Sequence, residues 1–453
     1  MSIRKKKTLL KLLLMIALCA TCMLQMPLTS YAAVGIGVKT EKTDYITVKD
    51  WPKAPEIGAE GAVLIDATTG QVLYAKNADT AFYPASITKI MTALLALENC
   101  KTTDILTFEG DALRALPPGY VTIAAVAGEK MPVEDWLSAL LIYSANDAAN
   151  ALATHVGGNI SNFADMMNER AKKAGAKNTH FKNPSGLHES DHYTTPYDMA
   201  MIMKDCIKYN DFVRIAGTRR YTISKNNKRK QDFTFSTRHQ MLPTYSRNYY
   251  EYAICGKTGY TTPAGNTLVT YAEKDGMKLI CCVMKCAGGG VCYTSTHDLF
   301  EYGFKNFSNY KVSEQDTKYT LSQAGIFNTL NSSSSSLSVN FDSDAHIILP
   351  NGVEASELDT KLSYLDGNSD AFAEVTYSYE GMKLGTVKLN LELESYKNTF
   401  DFTTHEASAQ DSQQSSSSNH TIFVNIWLLV AAVVVVGGMI IVLILKKRKK
   451  EVK

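Results

Sequence analysis

The sequence lacks the motifs of a metal-dependent hydrolase. Its nine histidines include no His-Glu-x-x-His pattern, in which two histidines on one helix face would bind zinc. Seven of its nine cysteines follow residue 32, and none of these seven has the Cys-x-x-Cys spacing of a structural zinc site. We therefore expect neither a metal ion nor another cofactor, so any chemistry must come from side chains.

An excess of charge of either sign is also absent. The chain carries 47 lysines and arginines against 45 aspartates and glutamates, which gives a net charge of +2 at pH 7. This balance gives no reason to expect a nucleic acid partner. With 45% hydrophobic and 20% charged residues, the composition is that of a globular protein long enough for two cores. We find no tandem repeat.

The N-terminus has the order of features that is typical of a secretory signal peptide. A basic cluster, Arg4–Lys7, precedes an apolar stretch, Leu9–Met26, and small residues follow at Ser30 and Ala32. We predict a signal peptide over residues 1–32, cleaved after Ala32, and a leader over 33–56. The alternative is an uncleaved N-terminal anchor.

The C-terminus has the features of a membrane anchor. Residues 426–445 form an apolar run without charge, long enough for a helix to cross about 30 Å of hydrocarbon. Five basic residues follow directly, and positive charge stays on the cytoplasmic side. We predict a Ser-rich linker (405–425), a transmembrane helix (426–445) and a cytoplasmic tail (446–453). The alternative, a buried core helix, does not account for the linker and the basic stop.

The seven cysteines after residue 32 are an odd number. They are Cys100, Cys206, Cys255, Cys281, Cys282, Cys286 and Cys292. An exported protein could oxidise them in pairs, but at least one must stay unpaired within the chain. We favour their interpretation as small buried hydrophobic residues over a disulfide framework.

The alternation of hydrophobic residues predicts two β-hairpins around a helical region. Residues 62–65 and 72–74 form the first hairpin, and residues 267–271 and 277–284 form the second. Helices are predicted after Pro84 and over 132–155, 161–174 and 294–304. Strands at both ends with helices between them indicate an α+β catalytic domain, 57–310, with an antiparallel sheet and flanking helices. Short strands separated by turns then predict a small all-β domain over 311–404.

Three short motifs have residue types suited to nucleophilic catalysis. Ser86 and Lys89 are three apart at the start of a predicted helix, so a lysine of lowered pKa could activate the serine hydroxyl. Ser144-Ala145-Asn146 follows an apolar helix and is expected in a loop between helices. The chain holds four other Ser-x-Asn pairs, namely Ser224–Asn226, Ser246–Asn248, Ser338–Asn340 and Ser417–Asn419. Lys257-Thr258-Gly259 opens a strand, where lysine and threonine could bind a carboxylate and glycine permits close approach.

In this order, the three motifs resemble those of the penicillin-recognising serine enzymes. Residues 86–89, 144–146 and 257–259 are similar to the motifs of the low-molecular-mass penicillin-binding D,D-carboxypeptidases, a serine peptidase family. The likeness extends to three further segments, 62–70, 181–187 and 256–261, and covers residues 57–305. It implies the penicillin-binding/β-lactamase-like fold, a peptidoglycan stem peptide ending in D-Ala-D-Ala as substrate, and acylation by β-lactams.

The resemblance implies a role for each motif residue. Ser86 would attack the carbonyl of the penultimate D-alanine with Lys89 as its base, and Ser144 would relay a proton to the leaving D-alanine. Asn146 would contact the substrate amide. The others are expected at the terminal carboxylate and the oxyanion: Lys257, Thr258 and Gly259 as substrate-binding residues, and the N–H groups of Ser86 and Tyr260 as the oxyanion hole.

Two features depart from the family pattern, and three other functions compete. The predicted spanning segment replaces the amphipathic helix common in the family, and the stretch Cys286–Cys292 is unusual in its glycines and cysteines. A D,D-endopeptidase would use the same residues on cross-linked peptidoglycan. A class A β-lactamase needs a Glu-x-x-Leu-Asn pattern that we do not find between Ser144 and Lys257. A non-catalytic wall-binding scaffold is disfavoured by the intact motifs.

Overall fold

The computed structural model describes residues 35–43, 51–109, 119–316, 335–343, 345–365 and 371–395. The predicted signal peptide, Ser-rich linker, transmembrane helix and cytoplasmic tail lie outside these residues. Within the described ranges, no helix has the length and apolarity needed to cross a membrane.

The described elements alternate between short helices and strands. The strands are β1 (Gly61–Asp66), β2 (Val72–Lys76), β3 (Ile105–Thr107), β4 (Lys130–Pro132), β5 (Arg220–Ile223), β6 (Phe233–Ser236), β7 (Ala253–Thr261), β8 (Gly265–Lys274), β9 (Met277–Cys286), β10 (Phe307–Lys311), β11 (Ser335–Phe341), β12 (His346–Pro350), β13 (Asp359–Tyr364), β14 (Ala373–Tyr379) and β15 (Met382–Ser395). The helices are α1 (Lys89–Asn99), α2 (Val133–Ser138), α3 (Asn146–Gly157), α4 (Ile160–Lys173), α5 (Pro196–Cys206), α6 (Asn210–Ala216), α7 (Gly289–Asn306) and α8 (Val312–Gln315). A 3₁₀ turn, Ala85–Thr88, precedes α1, a π-helical turn, Ala139–Tyr143, follows α2, and a second 3₁₀ turn is Ala355–Glu357.

A five-stranded antiparallel sheet forms the centre of the catalytic region. Its strand order is β2-β1-β9-β8-β7, so β7 lies at an edge. Strands β1 and β2 pair as the first predicted hairpin, and β8 and β9 pair as the second. The mixed helix-and-sheet fold with an antiparallel sheet is therefore confirmed.

The central sheet separates two hydrophobic cores. Alternate residues of a strand point to opposite faces, so Ile280 and Cys282 of β9 join one core while Leu279 and Cys281 join the other. Helices α1 to α6 contribute to the first core. Helix α7 packs on the second face, for example through Leu299. Helix α1 packs against α3, and β7 contacts the 3₁₀ turn that precedes α1, so the motif-bearing elements are neighbours.

A second group of strands follows the catalytic region. Strands β11-β15-β14-β13 form a four-stranded sheet, and β10 pairs with β12. Alternate residues of β14 are buried, from Ala373 to Tyr379, as expected for a sheet with one face on a core. The β10–β12 pair crosses the predicted boundary at residue 310, so the two regions share strand pairing.

A buried glutamine also links these regions. The Gln71 side chain is 5% exposed; its Nε2 donates to the carbonyl of Ile348 at 2.8 Å, and its Oε1 accepts from the N–H of Ile348 at 3.1 Å. Gln71 lies directly before β2, and Ile348 lies within β12. Two backbone groups of the second region thus depend on one side chain of the first.

We predict that Gln71→Ala will lower the free energy of unfolding of the full chain by about 1–3 kcal/mol. The substitution removes both partners of the Ile348 backbone hydrogen bonds at a buried position. Urea denaturation measures the change. Gln315→Ala, at an exposed glutamine, is the control and should change stability by less than about 0.5 kcal/mol. Equal effects of the two substitutions would show that the link carries no stability.

Candidate active site

The first motif lies at a sharp turn before α1. Residues 85–88 form the 3₁₀ turn, and Ala85 has a φ of 52°, a left-handed conformation that is uncommon for residues other than glycine. Side chains three residues apart are eclipsed in such a turn, so Ser86 and Lys89 project to the same side. The Lys89 Nζ lies 3.1 Å from the Ser86 Oγ. The predicted contact between these two residues is therefore present.

The Lys89 amine is completely enclosed. Its side chain has no exposed surface, and its Nζ also donates to Asn146 Oδ1 at 2.7 Å and to the carbonyl oxygen of Ser185 at 2.6 Å. Three oxygen atoms thus fix the position of Nζ. This places Asn146 of the second motif in direct contact with Lys89 of the first.

The surroundings of Lys89 disfavour its protonated form. Burial lowers its pKa well below the ordinary value of 10.5, and the positive charges of Lys257 and Arg238 lower it further. Asp147 acts in the opposite direction. A lowered pKa increases the neutral fraction of the amine, which is the form that can accept a proton.

The second motif lies at a break between helices, as predicted. The π-helical turn ends at Ser144, whose φ of 70° is left-handed, and α3 begins at Asn146. The Ser144 side chain accepts a hydrogen bond from Lys257 Nζ at 3.0 Å. The break therefore turns Ser144 towards the third motif, while Asn146 faces the first.

A buried carboxylate holds this break against a neighbouring loop. Asp147 has no exposed surface and accepts hydrogen bonds from the N–H groups of Ile123 at 3.1 Å and Ala125 at 3.0 Å. The N–H of Asn146 donates to the carbonyl of Val121 at 2.8 Å. Val121 lines the cavity onto which the motifs open, so Asp147 positions one part of its wall.

The third motif lies on the edge strand β7. Lys257 is 1% exposed, and its Nζ donates to Ser144 Oγ and to the carbonyl of Thr258 at 2.8 Å. Burial, and then the positive charge of Arg238, lower the pKa of Lys257 to about 7. Lys257 therefore gains or loses its charge near neutral pH.

Gly259 allows β7 to approach the nucleophile closely. A Cβ atom at this position would lie 2.3 Å from Thr267 Oγ1, 2.9 Å from the backbone nitrogen of Ser86 and 3.0 Å from the carbonyl oxygen of Pro84. Contacts below 3.0 Å require something to move, so only glycine fits without displacing the Ser86 turn. The backbone of β7 thus lies beside the Ser86 N–H, where the sequence predicts an oxyanion hole.

A cavity of about 780 Å³ opens onto the motifs. The motif residues that line it are Ser86, Ser144, Asn146, Thr258, Gly259 and Tyr260. Arg238, Thr237 and Asn266 line it from other elements. Among the described Ser-x-Asn pairs, Ser144 and Asn146 are the ones that contribute to this wall.

Sequence reasoning missed three contributors to the site. Ser185 acts through its backbone carbonyl, which no residue type reveals, although it lies in the 181–187 segment that resembles the family. Asp147 directly follows the second motif, and a carboxylate in the first turn of an apolar helix is a signal that was available. Arg238, which lowers the pKa of both lysines, had no recognisable pattern.

A serine held by a buried lysine, with a second serine–lysine pair across the same cavity, defines a penicillin-recognising serine acyl-transfer enzyme. A family model described as D-alanyl-D-alanine carboxypeptidase, peptidase S11, matches residues 48–288, more than half of the chain. The chain belongs to the D-alanyl-D-alanine carboxypeptidase family S11, which confirms the resemblance and the enzyme class expected from the motifs.

Named relatives support the same family. The chain is 35% identical over 263 residues to D-alanyl-D-alanine carboxypeptidase DacF of Bacillus subtilis, which covers 56% of this chain and 65% of that protein, just under two thirds of its length. It is 30% identical over 264 residues to the D-alanyl-D-alanine carboxypeptidase of Streptomyces sp. K15, across 55% of this chain and 88% of that protein.

A solved structure extends the likeness beyond the catalytic region. Penicillin-binding protein 5 of Haemophilus influenzae is 27% identical, with a TM-score of 0.59, and the match covers 75% of this chain and 98% of that one. A mutant of the Streptomyces K15 DD-transpeptidase is 28% identical with a TM-score of 0.52, across 55% of this chain and 99% of that one.

Proposed function

We propose that this chain removes the terminal D-alanine from peptidoglycan stem peptides through an acyl-enzyme on Ser86. The observation that supports this most is the hydrogen bond of 3.1 Å between Ser86 Oγ and the enclosed amine of Lys89. A serine hydroxyl is a weak nucleophile until an adjacent base takes its proton, and Lys89 is placed and tuned for that task.

The acylation step follows from the positions of the motifs. Neutral Lys89 accepts the Ser86 proton as Ser86 Oγ attacks the carbonyl carbon of the penultimate D-alanine. The N–H groups of Ser86 and Tyr260 stabilise the oxyanion. When the peptide bond breaks, the leaving amine takes, through Ser144, the proton that Lys89 accepted; the Ser144 hydroxyl lies 3.0 Å from the Lys257 amine. Water then hydrolyses the ester on Ser86 and regenerates the hydroxyl.

The substrate's terminal carboxylate is proposed to bind in the same cavity. Thr258 lines the cavity, and Lys257 lies behind it with its ammonium between Ser144 and Thr258. Charge-assisted hydrogen bonds from such groups bind a carboxylate. Asn146 also lines the cavity and is proposed to contact the substrate amide through its side-chain nitrogen, since its Oδ1 accepts from Lys89.

We predict that carboxylate recognition weakens as pH rises through about 7. In the free enzyme the pKa of Lys257 is lowered to about 7, so Lys257 loses its charge above that pH and keeps it below. The kcat/KM for a peptide ending in D-Ala-D-Ala should therefore fall on the alkaline side. The same peptide with a C-terminal amide should react slowly and without this alkaline limb. An equal limb for both peptides would contradict the role of Lys257.

The D,D-endopeptidase alternative can be tested in the same assay. A D,D-endopeptidase would cut the bond that joins two stem peptides instead of releasing a terminal D-alanine. Product analysis must therefore compare D-alanine release with cross-link cleavage. Faster cleavage of a cross-linked dimer than of the D-Ala-D-Ala monomer would favour the endopeptidase. The Streptomyces K15 neighbour is described as a DD-transpeptidase, so an amine acceptor should be included in the same assay.

We further propose that the catalytic domain works outside the cytoplasm on a single membrane anchor. This rests on the sequence of residues 1–32 and of 405–453. A chain ending at residue 425 should be released from membranes into the medium with its penicillin binding intact. Retention of this truncated chain in the membrane fraction would contradict the C-terminal anchor.

A further inference from the structure

A pair of cysteines flanks the glycine-rich stretch that departs from the family pattern. Cys286 is the last residue of β9, and Cys292 lies in the first turn of α7, four residues beyond the Gly288 that precedes this helix. The two side chains are 1% and 2% exposed and lie in the same hydrophobic core. The structure holds both as free thiols, and Cys286 is the strongest influence on the pKa of the Cys292 thiol, which it raises. Two buried thiols in one core, at the two ends of a short, glycine-rich connection, have the neighbourhood that a disulfide requires.

Other cysteines lie near this pair but have different surroundings. Cys282 faces the opposite core of the sheet, so the sheet separates it from Cys292. Cys281 lies in the same core as Cys292, but it is in the middle of β9, whereas Cys286 is the last residue of this strand and leads directly into the connection to α7. Cys286 is therefore the partner that the topology assigns to Cys292.

The pair is connected to the wall of the catalytic cavity. Tyr293 follows Cys292 directly, and its hydroxyl donates to the carbonyl of Arg238 and accepts from the N–H of Gln240, both at 3.2 Å. Tyr293, Arg238 and Gln240 all line the cavity. A bond at Cys292 would therefore fix the first turn of α7 at the point where it supports the active site.

We propose that Cys286 and Cys292 form an intramolecular disulfide that fastens the start of α7 to the end of β9. The proposal goes beyond the carboxypeptidase activity, and for its occurrence in cells it rests on the proposed export. Three glycines in the connection, Gly288, Gly289 and Gly290, leave the start of α7 with much backbone freedom in the dithiol form. The disulfide removes that freedom.

The oxidation is balanced by thiol–disulfide exchange. One cysteine thiolate attacks a sulfur of a small-molecule or protein disulfide, forms a mixed disulfide and displaces one thiolate. The second cysteine thiolate then attacks the mixed disulfide, closes the Cys286–Cys292 bond and displaces the other. Two electrons pass to the oxidising disulfide, which leaves as two thiols. In the folded chain, the neighbouring Cys286 thiol, and then burial, raise the pKa of the Cys292 thiol. Thiol–disulfide exchange is therefore fastest during folding, before the pair is enclosed.

The tryptic map of this region separates the possible pairings. Cleavage after Lys285 and Lys305 places Cys286 and Cys292 in one peptide, 286–305, while Cys281 and Cys282 fall in another, 279–285. The full chain is refolded in a glutathione redox buffer, its free thiols are alkylated, and it is digested without reduction. We expect peptide 286–305 without alkyl groups and lighter by two hydrogens, with peptide 279–285 doubly alkylated.

Melting temperatures of cysteine variants test whether the Cys286–Cys292 disulfide stabilises the chain. Reduction of the wild-type chain should lower its melting temperature by about 5 °C. Cys281→Ser, the matched control in the same core, should show the same drop, and Cys292→Ser should show none. Complete alkylation of peptide 286–305 after refolding, or a cross-link between 279–285 and 286–305, overturns the proposal. The mass measurement on the wild-type chain gives this answer even where a variant fails to fold.

Discussion

Lys89→Met will lower the rate of acylation by penicillin by about three orders of magnitude, within the range that a general base contributes. Methionine has a similar length, but it has no amine to take the Ser86 proton from 3.1 Å away. Stopped-flow acylation with a fluorescent penicillin measures the rate. Lys278→Met, at an exposed lysine of β9, should leave the rate unchanged.

The pH dependence gives a second test of the same residue. The base must be neutral, so the acylation rate at saturating penicillin should rise with pH through the pKa of Lys89 and stop rising well below pH 10.5. A wild-type rate that still rises through pH 10.5 would mean that Lys89 is not the base. If thermal melting shows that the Lys89→Met chain is folded and this chain is acylated at the wild-type rate, Lys89 is likewise not the base.

Gly259→Ala will lower acylation by about 10²–10³-fold, the cost of losing one oxyanion-hole donor. The new methyl group would lie 2.9 Å from the Ser86 nitrogen and 2.3 Å from Thr267 Oγ1. Thr267 Oγ1 donates to the Pro84 carbonyl at 2.9 Å, so a displaced Thr267 would also shift the segment from Pro84 to Ser86. The loss should appear in the acylation rate of penicillin as well as in peptide hydrolysis.

Gly290→Ala is the matched control for this substitution. Gly290 lies in α7, and a Cβ at this position meets no atom within 4 Å. Alanine is also the better helix former, so stability should be equal or slightly higher. If Gly259→Ala and Gly290→Ala acylate equally fast, close packing between β7 and the Ser86 turn is not needed for catalysis.

Much of the fold was predictable because the strands are strongly periodic. The hairpins β1–β2 and β8–β9 each have hydrophobic runs of strand length joined by a turn that contains glycine, Gly70 or Gly276. Helices α5 and α6 were not predicted. Both are short, and α5 depends on a cap, the Thr195 hydroxyl that accepts from the N–H of Asp198, followed by Pro196.

The part of the site that consists of motif side chains was predictable from the sequence. The structure joins Ser86, Lys89 and Asn146 in one hydrogen-bonded group and Ser144 and Lys257 in a second, whereas the separation of these residues in sequence gives no sign of this. Their order and context identified them through the family resemblance. Two further contributors have no sequence signal. The backbone carbonyl of Ser185 binds the Lys89 amine, and the charge of Arg238 lowers the pKa of Lys89 and Lys257. The roles proposed for the motif residues remain predictions.

The most direct test of the account is the mass of the full chain after incubation with benzylpenicillin. Ser86 is the only serine in tryptic peptide 77–89, so the position of an adduct is readily assigned. We predict one stable penicilloyl group on this peptide, its absence in Ser86→Ala, and its presence in Ser308→Ala, an exposed control serine in β10. A folded wild-type chain without the adduct, or an adduct that persists in Ser86→Ala, would contradict Ser86 as the nucleophile.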